Sequence, residues 1–188
     1  YPNGVTLQHR DAAGAWKPWR SFRMSGGSLV FRTTDGIVRI ALPGGGQQDV
    51  RGAVQYLKAR GAKAGINGYC MGGALTLLAA VHVPEADAAV AHYGYPPLEY
   101  IDAAKIRMPL MGHWATEDAF FALAGVDALE QKLQAAGVRF EFHRYPAKHA
   151  FANETQLPPG CPPSNEYHPA AAATAWQRTL TFFGQHLR

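Results

Sequence analysis

The hydrophobic pattern from residue 49 onward alternates between helical and strand-like segments. Two segments repeat apolar residues at the spacing of a helix face and then reach a glycine, a typical helix stop. Their apolar positions are Val50, Val54 and Leu57 before Gly61, and Leu123, Val126, Leu129 and Leu133 before Gly137. These segments are predicted as amphipathic helices that each cover one face of a sheet.

Short apolar runs lie between the helical segments and predict the strands of that sheet. They read AKAGIN, ADAAVAHYG, MPLMGHW and VRFEFHRY. The run GGALTLLAAVH predicts a buried helix, and HPAAAATAWQRTLTFFGQHL predicts a terminal helix with Pro169 in its first turn. Strands that alternate with helices favour an α/β fold, in which a mostly parallel sheet is flanked by helices.

Two regions do not follow this alternation. Residues 156–169 are rich in proline and are predicted as a loop. Residues 1–48 contain only weak strand candidates, SLVFRTT and GIVRIAL, followed by the flexible stretch PGGGQQ. We therefore divide the chain into an atypical N-terminal segment of uncertain structure, 1–48, and a main domain, 49–188.

Length and cysteine content limit the class of protein. The chain has 188 residues, 47% of them hydrophobic, which suits one domain with a real core. No apolar run approaches the ~20 residues of a membrane span, and we expect no membrane association. Cys70 and Cys161 form neither a disulfide framework nor a C-x-x-C pair, so we expect a reduced, cytoplasmic setting. The chain begins with Tyr1 rather than Met, which leaves a targeting segment open.

Charge gives little sign of a polyanionic partner. Residues 1–48 carry six basic and two acidic side chains, which accounts for the whole net charge of +4. The basic residues are spread singly and do not form a recurring module with aromatic residues. We therefore expect no nucleic-acid partner.

The stretch GYCMGG, residues 68–73, carries the strongest chemical signal. A strand, then G-x-C-x-G-G, then an apolar helix is the layout of a nucleophile elbow, a turn that holds its central residue in a strained conformation. Cys70 would then stand at a helix N-terminus, where the dipole favours thiolate and the Met71 N–H faces a developing oxyanion. Taken alone, the stretch is equally compatible with a buried structural cysteine in a tight turn.

Other glycine-rich or thiol sites fit the sequence less well. The stretch has no G-K-[ST] and no G-x-G-x-x-G, so neither a P-loop nor a dinucleotide fingerprint is present. Thr76 stands where a cysteine phosphatase would have Arg. No G-x-S-x-G elbow and no metal-ligand spacing occurs, and we expect no metal and no cofactor.

Two later loops supply a candidate acid and a candidate base. Asp118 follows the strand PLMGHW, and His149 follows the strand FEFHRY. Both residues therefore lie at the carboxyl ends of strands, and so does Cys70. The order nucleophile, acid, histidine is that of elbow hydrolases. Glu117 is an alternative acid, and His113 and His143 are alternative bases that lie within strand patterns.

The sequence resembles the dienelactone hydrolase (carboxymethylenebutenolidase) family of α/β-hydrolases. The likeness covers about Gln48 to Arg188 and is carried by QDVRGAVQYLKARG, GYCMGGAL, AVAHYGYP, EDAF and KHAFAN. It implies an α/β-hydrolase-like fold, and hydrolysis of a small ester or lactone through a thioester. It also implies site residues: Cys70 as nucleophile, His149 as base, Asp118 as orienting acid, the Met71 N–H as oxyanion donor and Tyr93 as a pocket wall. Trp114, beside the acid loop, is predicted either to line the pocket or to be a core aromatic.

Two departures from the family pattern limit what the resemblance implies. Asn153 stands where the family often has an Arg that holds the substrate carboxylate, so a less anionic ester or lactone is expected. Residues 1–48 do not resemble the family's first strands, which supply a second oxyanion N–H. We expect a truncated or partly out-of-frame N-terminal region. The alternative function is a catalytically impaired fragment or a non-catalytic small-molecule-binding chain, and oligomeric state cannot be predicted.

Overall fold

The computed structural model describes residues 5–10, 16–22, 28–33, 36–41 and 47–188, with side chains from residue 50 onward. Within these residues the strands form one eight-stranded sheet in the order β2-β1-β4-β3-β5-β6-β7-β8. The strands are β1 (Val5–Arg10), β2 (Trp16–Phe22), β3 (Ser28–Thr33), β4 (Gly36–Ala41), β5 (Gly65–Tyr69), β6 (Ala88–His92), β7 (Leu110–Ala115) and β8 (Phe140–Tyr145).

The two halves of the sheet differ in strand direction. Strands β5 to β8 pair in parallel, as the alternation of strands and helices predicts. Strands β1 to β4 pair antiparallel with one another, and β3 is antiparallel to β5. Both weak strand candidates in the N-terminal segment are confirmed as strands β3 and β4.

Four α-helices occur in the described part of the chain, all of them predicted. They are α1 (Gln47–Lys58), α2 (Met71–His82), α3 (Leu123–Ala135) and α4 (Pro169–His186). The predicted apolar faces are the ones that pack into the core. The three apolar positions of α1 are buried, and so are Val126, Leu129 and Leu133 of α3. Gly61 and Gly137 follow these helices with φ of 76° and 68°, a conformation that favours glycine as a helix stop.

Helices cover both faces of the parallel strands. On β6, Val90 packs in a cluster with Phe182 and Phe183 of α4. Its neighbours Ala89 and Ala91 point the other way, into the main core with residues of α1, α2 and α3. Because successive strand residues face opposite sides, strands covered on both faces must be apolar throughout, and β6 and β7 are buried along their whole length.

The remaining expectations about loops and boundaries have mixed outcomes. The proline-rich loop is confirmed and ends where Pro169 begins α4. Helix α1 begins at Gln47, slightly before the predicted boundary, and the division of the chain at residue 48 stays a prediction. Of the predicted flexible stretch PGGGQQ, Gln47 and Gln48 instead begin helix α1, and PGGG lies outside the described residues.

Candidate active site

Cys70 occupies the turn between β5 and α2, in the conformation that a nucleophile elbow requires. It is the N-cap of α2, with φ 55° and ψ −120°, a left-handed backbone that costs a side-chain-bearing residue free energy. The turn is tight because a Cβ at Gly68 would overlap the carbonyl oxygen of Gly72. The strained conformation predicted for Cys70 and the need for glycine at position 68 are both confirmed.

Asp118 and His149 meet Cys70 at the carboxyl edge of the sheet. His149 lies between the other two side chains, with Nε2 at 3.1 Å from Cys70 Sγ and Nδ1 at 2.8 Å from Asp118 Oδ2. The Asp118 and His149 side chains are 1% and 5% exposed, respectively. Cys70 as a whole residue is half-buried and is not sealed in the core.

These contacts shift the pKa values of the thiol and the imidazole in opposite directions. The hydrogen bond to His149 lowers the pKa of Cys70 below its ordinary value, against burial, and the Met71 backbone N–H lowers it further. Burial alone would lower the pKa of His149, but hydrogen bonds to Asp118 and Cys70 outweigh it and raise that pKa to about 9. The contact therefore favours the thiolate form of Cys70 and the imidazolium form of His149.

Local hydrogen bonds hold the Asp118 carboxylate in place. Its Oδ1 accepts from the backbone N–H groups of Phe120 and Phe121 at 2.8 and 2.9 Å, which leaves Oδ2 for His149. Glu117, the alternative acid, is exposed on the surface. Asp118 therefore has its orientation set by the turn in which it lies.

The proline-rich loop supports the backbone that carries His149. His149 forms a parallel bridge with Asn165, and its carbonyl accepts from the Glu166 N–H at 3.2 Å. The His168 N–H donates to the Phe151 carbonyl at 2.9 Å, and Lys148 pairs with Glu166 at 2.8 Å. This supporting role of the loop was not predicted from its composition.

Three aromatic rings surround the His149 imidazole. Tyr93 and Phe120 meet it edge-on, with ring centroids at 5.2 and 5.0 Å, and Phe121 stacks at 5.6 Å. Tyr93 is buried, with φ 35°, and packs against the histidine, whereas its role as a pocket wall stays a prediction. Phe120 is 61% exposed and offers an apolar surface beside the sulfur's partner. The contacts of Phe120 and Phe121 with His149 were not predicted, since the sequence shows only that both residues lie close to Asp118.

The structure assigns Trp114 to the core. Its side chain is 1% exposed and packs against Tyr95 and Phe142, with ring centroids at 6.3 and 5.1 Å. This burial agrees with the alternative of a core aromatic, because β7 is covered on both faces. Contact of Trp114 with substrate stays a prediction.

Asn153 lies on the surface in the turn after His149. Its Oδ1 accepts from the backbone N–H and hydroxyl of Thr155 at 3.1 and 2.9 Å. The side chain thus caps its own turn, and its predicted contact with substrate stays a prediction.

The alternative bases His113 and His143 belong to the packing of the sheet. His113 is buried, and its two ring nitrogens bond Tyr145 Oη at 2.8 Å and Thr179 Oγ1 at 3.0 Å. His143 stacks on His113, with ring centroids at 5.5 Å. As expected for histidines within strands, both serve structure in this region.

Metal binding and membrane insertion find no support in what is described. No group of three or more His, Cys, Asp or Glu side chains among these residues is arranged to hold a metal ion. None of the helices described has both the length and the hydropathy required to cross a bilayer.

Comparison with known proteins identifies relatives of this chain. A protein of Salmonella typhi named "Putative carboxymethylenebutenolidase" is 35% identical over 131 residues, covering 64% of this chain and 46% of that protein. A protein of the same name from Methylorubrum extorquens is 32% identical over 152 residues, covering 73% and 50%. The chain thus spans about half the length of these curated relatives.

The structural comparison agrees with the sequence comparison. A crystal structure from Klebsiella pneumoniae, titled "Putative Dienelactone Hydrolase", superposes with a TM-score of 0.63 at 30% identity, covering 74% of this chain and 60% of that one. A sequence model of the dienelactone hydrolase family matches residues 31–187, so the likeness begins within β3, earlier than the predicted Gln48. The chain therefore belongs to the dienelactone hydrolase family and has an α/β-hydrolase fold.

Proposed function

We propose that this chain hydrolyses a small carboxylic ester or lactone, with Cys70 as nucleophile, His149 as acid–base and Asp118 as its orienting partner. The observation that carries the proposal is the continuous contact from Cys70 Sγ through the His149 ring to Asp118 Oδ2. Family membership supports this reaction class, and the relatives' names suggest a lactone.

Acylation begins from the thiolate–imidazolium pair. The Cys70 thiolate attacks the carbonyl carbon, and the carbonyl π electrons move to oxygen to form a tetrahedral oxyanion. The Met71 N–H, at the positive end of α2, donates to that oxyanion. When the C–O bond breaks, the His149 Nε2 proton passes to the leaving alkoxide, which leaves as an alcohol and generates a thioester on Cys70.

Deacylation reverses the direction of proton transfer. Neutral His149 takes a proton from water, and the resulting hydroxide adds to the thioester carbonyl. Collapse of this second tetrahedral species releases the carboxylic acid and returns the thiolate. The regenerated imidazolium is again stabilised by Asp118, so the site ends in its starting charge state.

Activated esters and enol lactones suit this site best. A thiolate displaces such leaving groups easily, because the oxyanions that depart are stabilised. Amides are poorer substrates, because the amine is a poorer leaving group. The apolar face of Phe120 beside His149 favours substrates with a hydrophobic part. Asn153, in place of a cationic anchor, favours a less anionic substrate than a dienelactone carboxylate.

The test uses a chromogenic short-chain ester and an enol lactone with wild type, Cys70→Ala and Cys161→Ala. We expect Cys70→Ala to abolish turnover and Cys161→Ala to retain it, since the Cys161 thiol donates to a loop carbonyl, that of Asn165 at 3.3 Å. Acid quenching during turnover should trap one acyl group on Cys70, detected by peptide mass spectrometry. Undiminished turnover by Cys70→Ala would exclude the proposal.

The same experiment tests the alternative of an impaired chain. Acylation of Cys70 without release of acid would indicate a site that forms the thioester but cannot complete turnover. Acylation confined to Cys161, or none at all, would indicate a non-catalytic chain of this fold.

A further inference from the structure

Three histidines form a stack across the sheet, on the face that α4 covers. His92, His113 and His143 lie opposite one another in the register of β6, β7 and β8. Their ring centroids are 4.6 and 5.5 Å apart, and Tyr69 of β5 continues the stack at 4.2 Å from His92. Nε2 of His113 bonds Thr179 Oγ1 of α4 at 3.0 Å, so the histidine stack lies between the sheet and that helix. The proposed hydrolysis uses none of these imidazoles.

The environment of the histidine stack favours neutral rings. His92 and His113 are 1% and 0% exposed, and the His143 side chain is 24% exposed. Among the described residues, neither ring nitrogen of His92 has a hydrogen-bond partner, nor does Nε2 of His143. A protonated imidazole has two N–H donors and a charge that water would solvate, and this site supplies neither partners nor water for them.

The hydrogen bonds around His113 have one consistent direction. Arg178 donates to Tyr145 Oη at 3.1 Å, and Thr179 Oγ1 donates to the Ala175 carbonyl at 2.9 Å. Thr179 Oγ1 therefore accepts from His113 Nε2, and His113 Nδ1 accepts from the Tyr145 hydroxyl at 2.8 Å. A second proton on Nδ1 would turn an N–H toward that hydroxyl, which would lose its acceptor among the described residues. Neutral His113 is thus the link that joins β8 and β7 to α4.

The charged groups near the histidine stack also disfavour imidazolium. Burial lowers the pKa of all three histidines, to about 3 for His92, and the Arg178 guanidinium lowers those of His113 and His143 further. Glu141 Oε2 lies 3.8 Å from His143 Nε2, beyond hydrogen-bond distance, and its side chain is 53% exposed. The titratable or charged groups of the described residues that contact the stack, act on it or share a cavity with it are Tyr69, Tyr93, Glu141, Tyr145, Glu154 and Arg178.

We infer that the histidine stack is an acid-sensitive latch between the sheet and α4. While the rings are neutral, they pack face to face and His113 ties α4 to the strands. Protonated rings at these separations repel one another, and protonation of His113 breaks the hydrogen-bond chain through Tyr145. Acid therefore releases α4 from the sheet.

Release of α4 also affects the candidate active site. Ala171 and Ala175 of α4 belong to a buried cluster against which Tyr69 and Cys70 pack. Opening of α4 removes this packing beside Cys70. The inference does not depend on the proposed hydrolysis, because opening is measured without substrate.

The direction of the pH dependence follows from the lowered pKa values. In an opened chain a histidine titrates near about 6.5, whereas the closed structure keeps the stacked rings neutral to lower pH. Opening therefore takes up protons, and stability is lost as the pH falls below about 6.5, until the pKa of the closed state is reached. For His92, with a closed-state pKa of about 3, the opening equilibrium constant should rise roughly 25-fold between pH 7 and pH 5.

The test is native-state hydrogen exchange at pH 7 and pH 5, read by mass spectrometry of α4 peptides and corrected for the intrinsic exchange rate. His92→Phe keeps a flat ring for stacking and removes both nitrogens, and His82→Gln changes an exposed histidine outside the stack. We expect the opening constant of α4 to rise steeply at pH 5 in wild type and in His82→Gln. In His92→Phe the rise should be smaller by roughly 25-fold. Peptides of α2, on the other face of the sheet, should show a smaller rise than those of α4.

A measurement on wild type keeps the inference testable if His92→Phe does not fold. Protein labelled with ¹⁵N-histidine reports the protonation of each ring by NMR, and we expect His92 and His113 of the folded protein to be neutral at pH 5. Titration of these rings near their ordinary pKa in the folded protein would overturn the inference. So would an acid-induced rise that His92→Phe retains in full, which would assign the acid sensitivity to other groups. An equal rise in α2 and α4 would mean global unfolding and would also overturn it.

Discussion

The sulfur of Cys70 lies 3.1 Å from Nε2 of His149, although the two residues are 79 positions apart in the chain. The contact exists because β5 and β8 run parallel in one sheet, so that the loops following them emerge at the same edge. It couples the charge states of two groups that would otherwise both be neutral near pH 7 to 8.

The charge coupling predicts a bell-shaped pH dependence for hydrolysis. The rate constant kcat/KM should rise with pH as Cys70 loses its proton, at a pKa below the ordinary thiol value. It should fall above about 9, because His149 loses the imidazolium proton that the leaving group needs. The measurement is kcat/KM for an activated ester across pH 4 to 10, with the two apparent pKa values assigned to the pair.

The pH dependence of alkylation measures the pKa of the Cys70 thiol by itself. Iodoacetamide should modify Cys70 at neutral pH, and His149→Ala should move the midpoint of the alkylation rate upward, toward the ordinary value of 9.0. Coincident midpoints for wild type and His149→Ala would show that the imidazole does not stabilise the thiolate.

Replacement of Asp118 by Asn should keep the hydrogen bonds that orient the side chain and remove the negative charge that acts on His149. The amide can keep an oxygen toward the N–H groups of Phe120 and Phe121, but it then presents NH₂ to His149 Nδ1. His149 would be forced to accept at Nδ1, the wrong tautomer, and its pKa would fall. We expect a loss of about 10²–10⁴ in kcat with little change in stability.

Asp118→Ala is the matched comparison, measured by the same assay and by urea unfolding. It should lose activity to a similar extent and also lose stability, by about 1–3 kcal/mol, because the turn N–H groups lose their acceptor. Activity within tenfold of wild type in Asp118→Asn would remove Asp118 from the proposed mechanism.

The ring of Phe121 should stabilise the imidazolium form of His149. It stacks on the imidazole at 5.6 Å, and an aromatic face attracts a cation by about 0.5–1 kcal/mol at partly exposed sites. Phe121→Leu should therefore lower the alkaline pKa of the rate profile by roughly half a unit. Phe140→Leu is the control, since that ring contacts Phe142 at 5.0 Å. Equal shifts in the two variants would argue against a direct effect of the ring.

A methyl group at Gly68 should disrupt the elbow. The added Cβ would overlap the Gly72 carbonyl and press on the Thr76 hydroxyl, both held in the first turns of α2. We expect Gly68→Ala to reduce the free energy of unfolding by more than about 3 kcal/mol, measured by urea denaturation. At Gly52, within α1, an added Cβ meets nothing within 4 Å. Gly52→Ala should stabilise the protein by up to about 1 kcal/mol, and a similar response at both positions would contradict the packing argument.

Local pattern was enough to predict the elements of the main domain. The spacing of Val50, Val54 and Leu57 identified a helix face, because burial of one face imposes the helical period on the sequence itself. The glycines around Cys70 likewise marked a turn whose geometry excludes a side chain. These signals lie within a few residues of one another and need no knowledge of distant neighbours.

Contacts between distant segments could not be predicted from local sequence pattern. Trp114 next to the acid loop was compatible with a pocket or a core, and the choice depended on which face of β7 it occupies and what covers that face. The antiparallel pairing of β3 with β5 was not predicted either, since strand direction depends on how the chain returns to the sheet. The stacking of His92 between Tyr69 and His113 required the register of three strands.

The amino-acid sequence by itself determined the helices, the parallel strands, the strained turn at Cys70 and the order in which cysteine, aspartate and histidine follow those strands. Tertiary structure alone decided that His149, and not His113 or His143, faces the sulfur. The physical reason is that period and turn chemistry are set by neighbouring residues, whereas the distance between remote side chains is set by sheet register and helix packing.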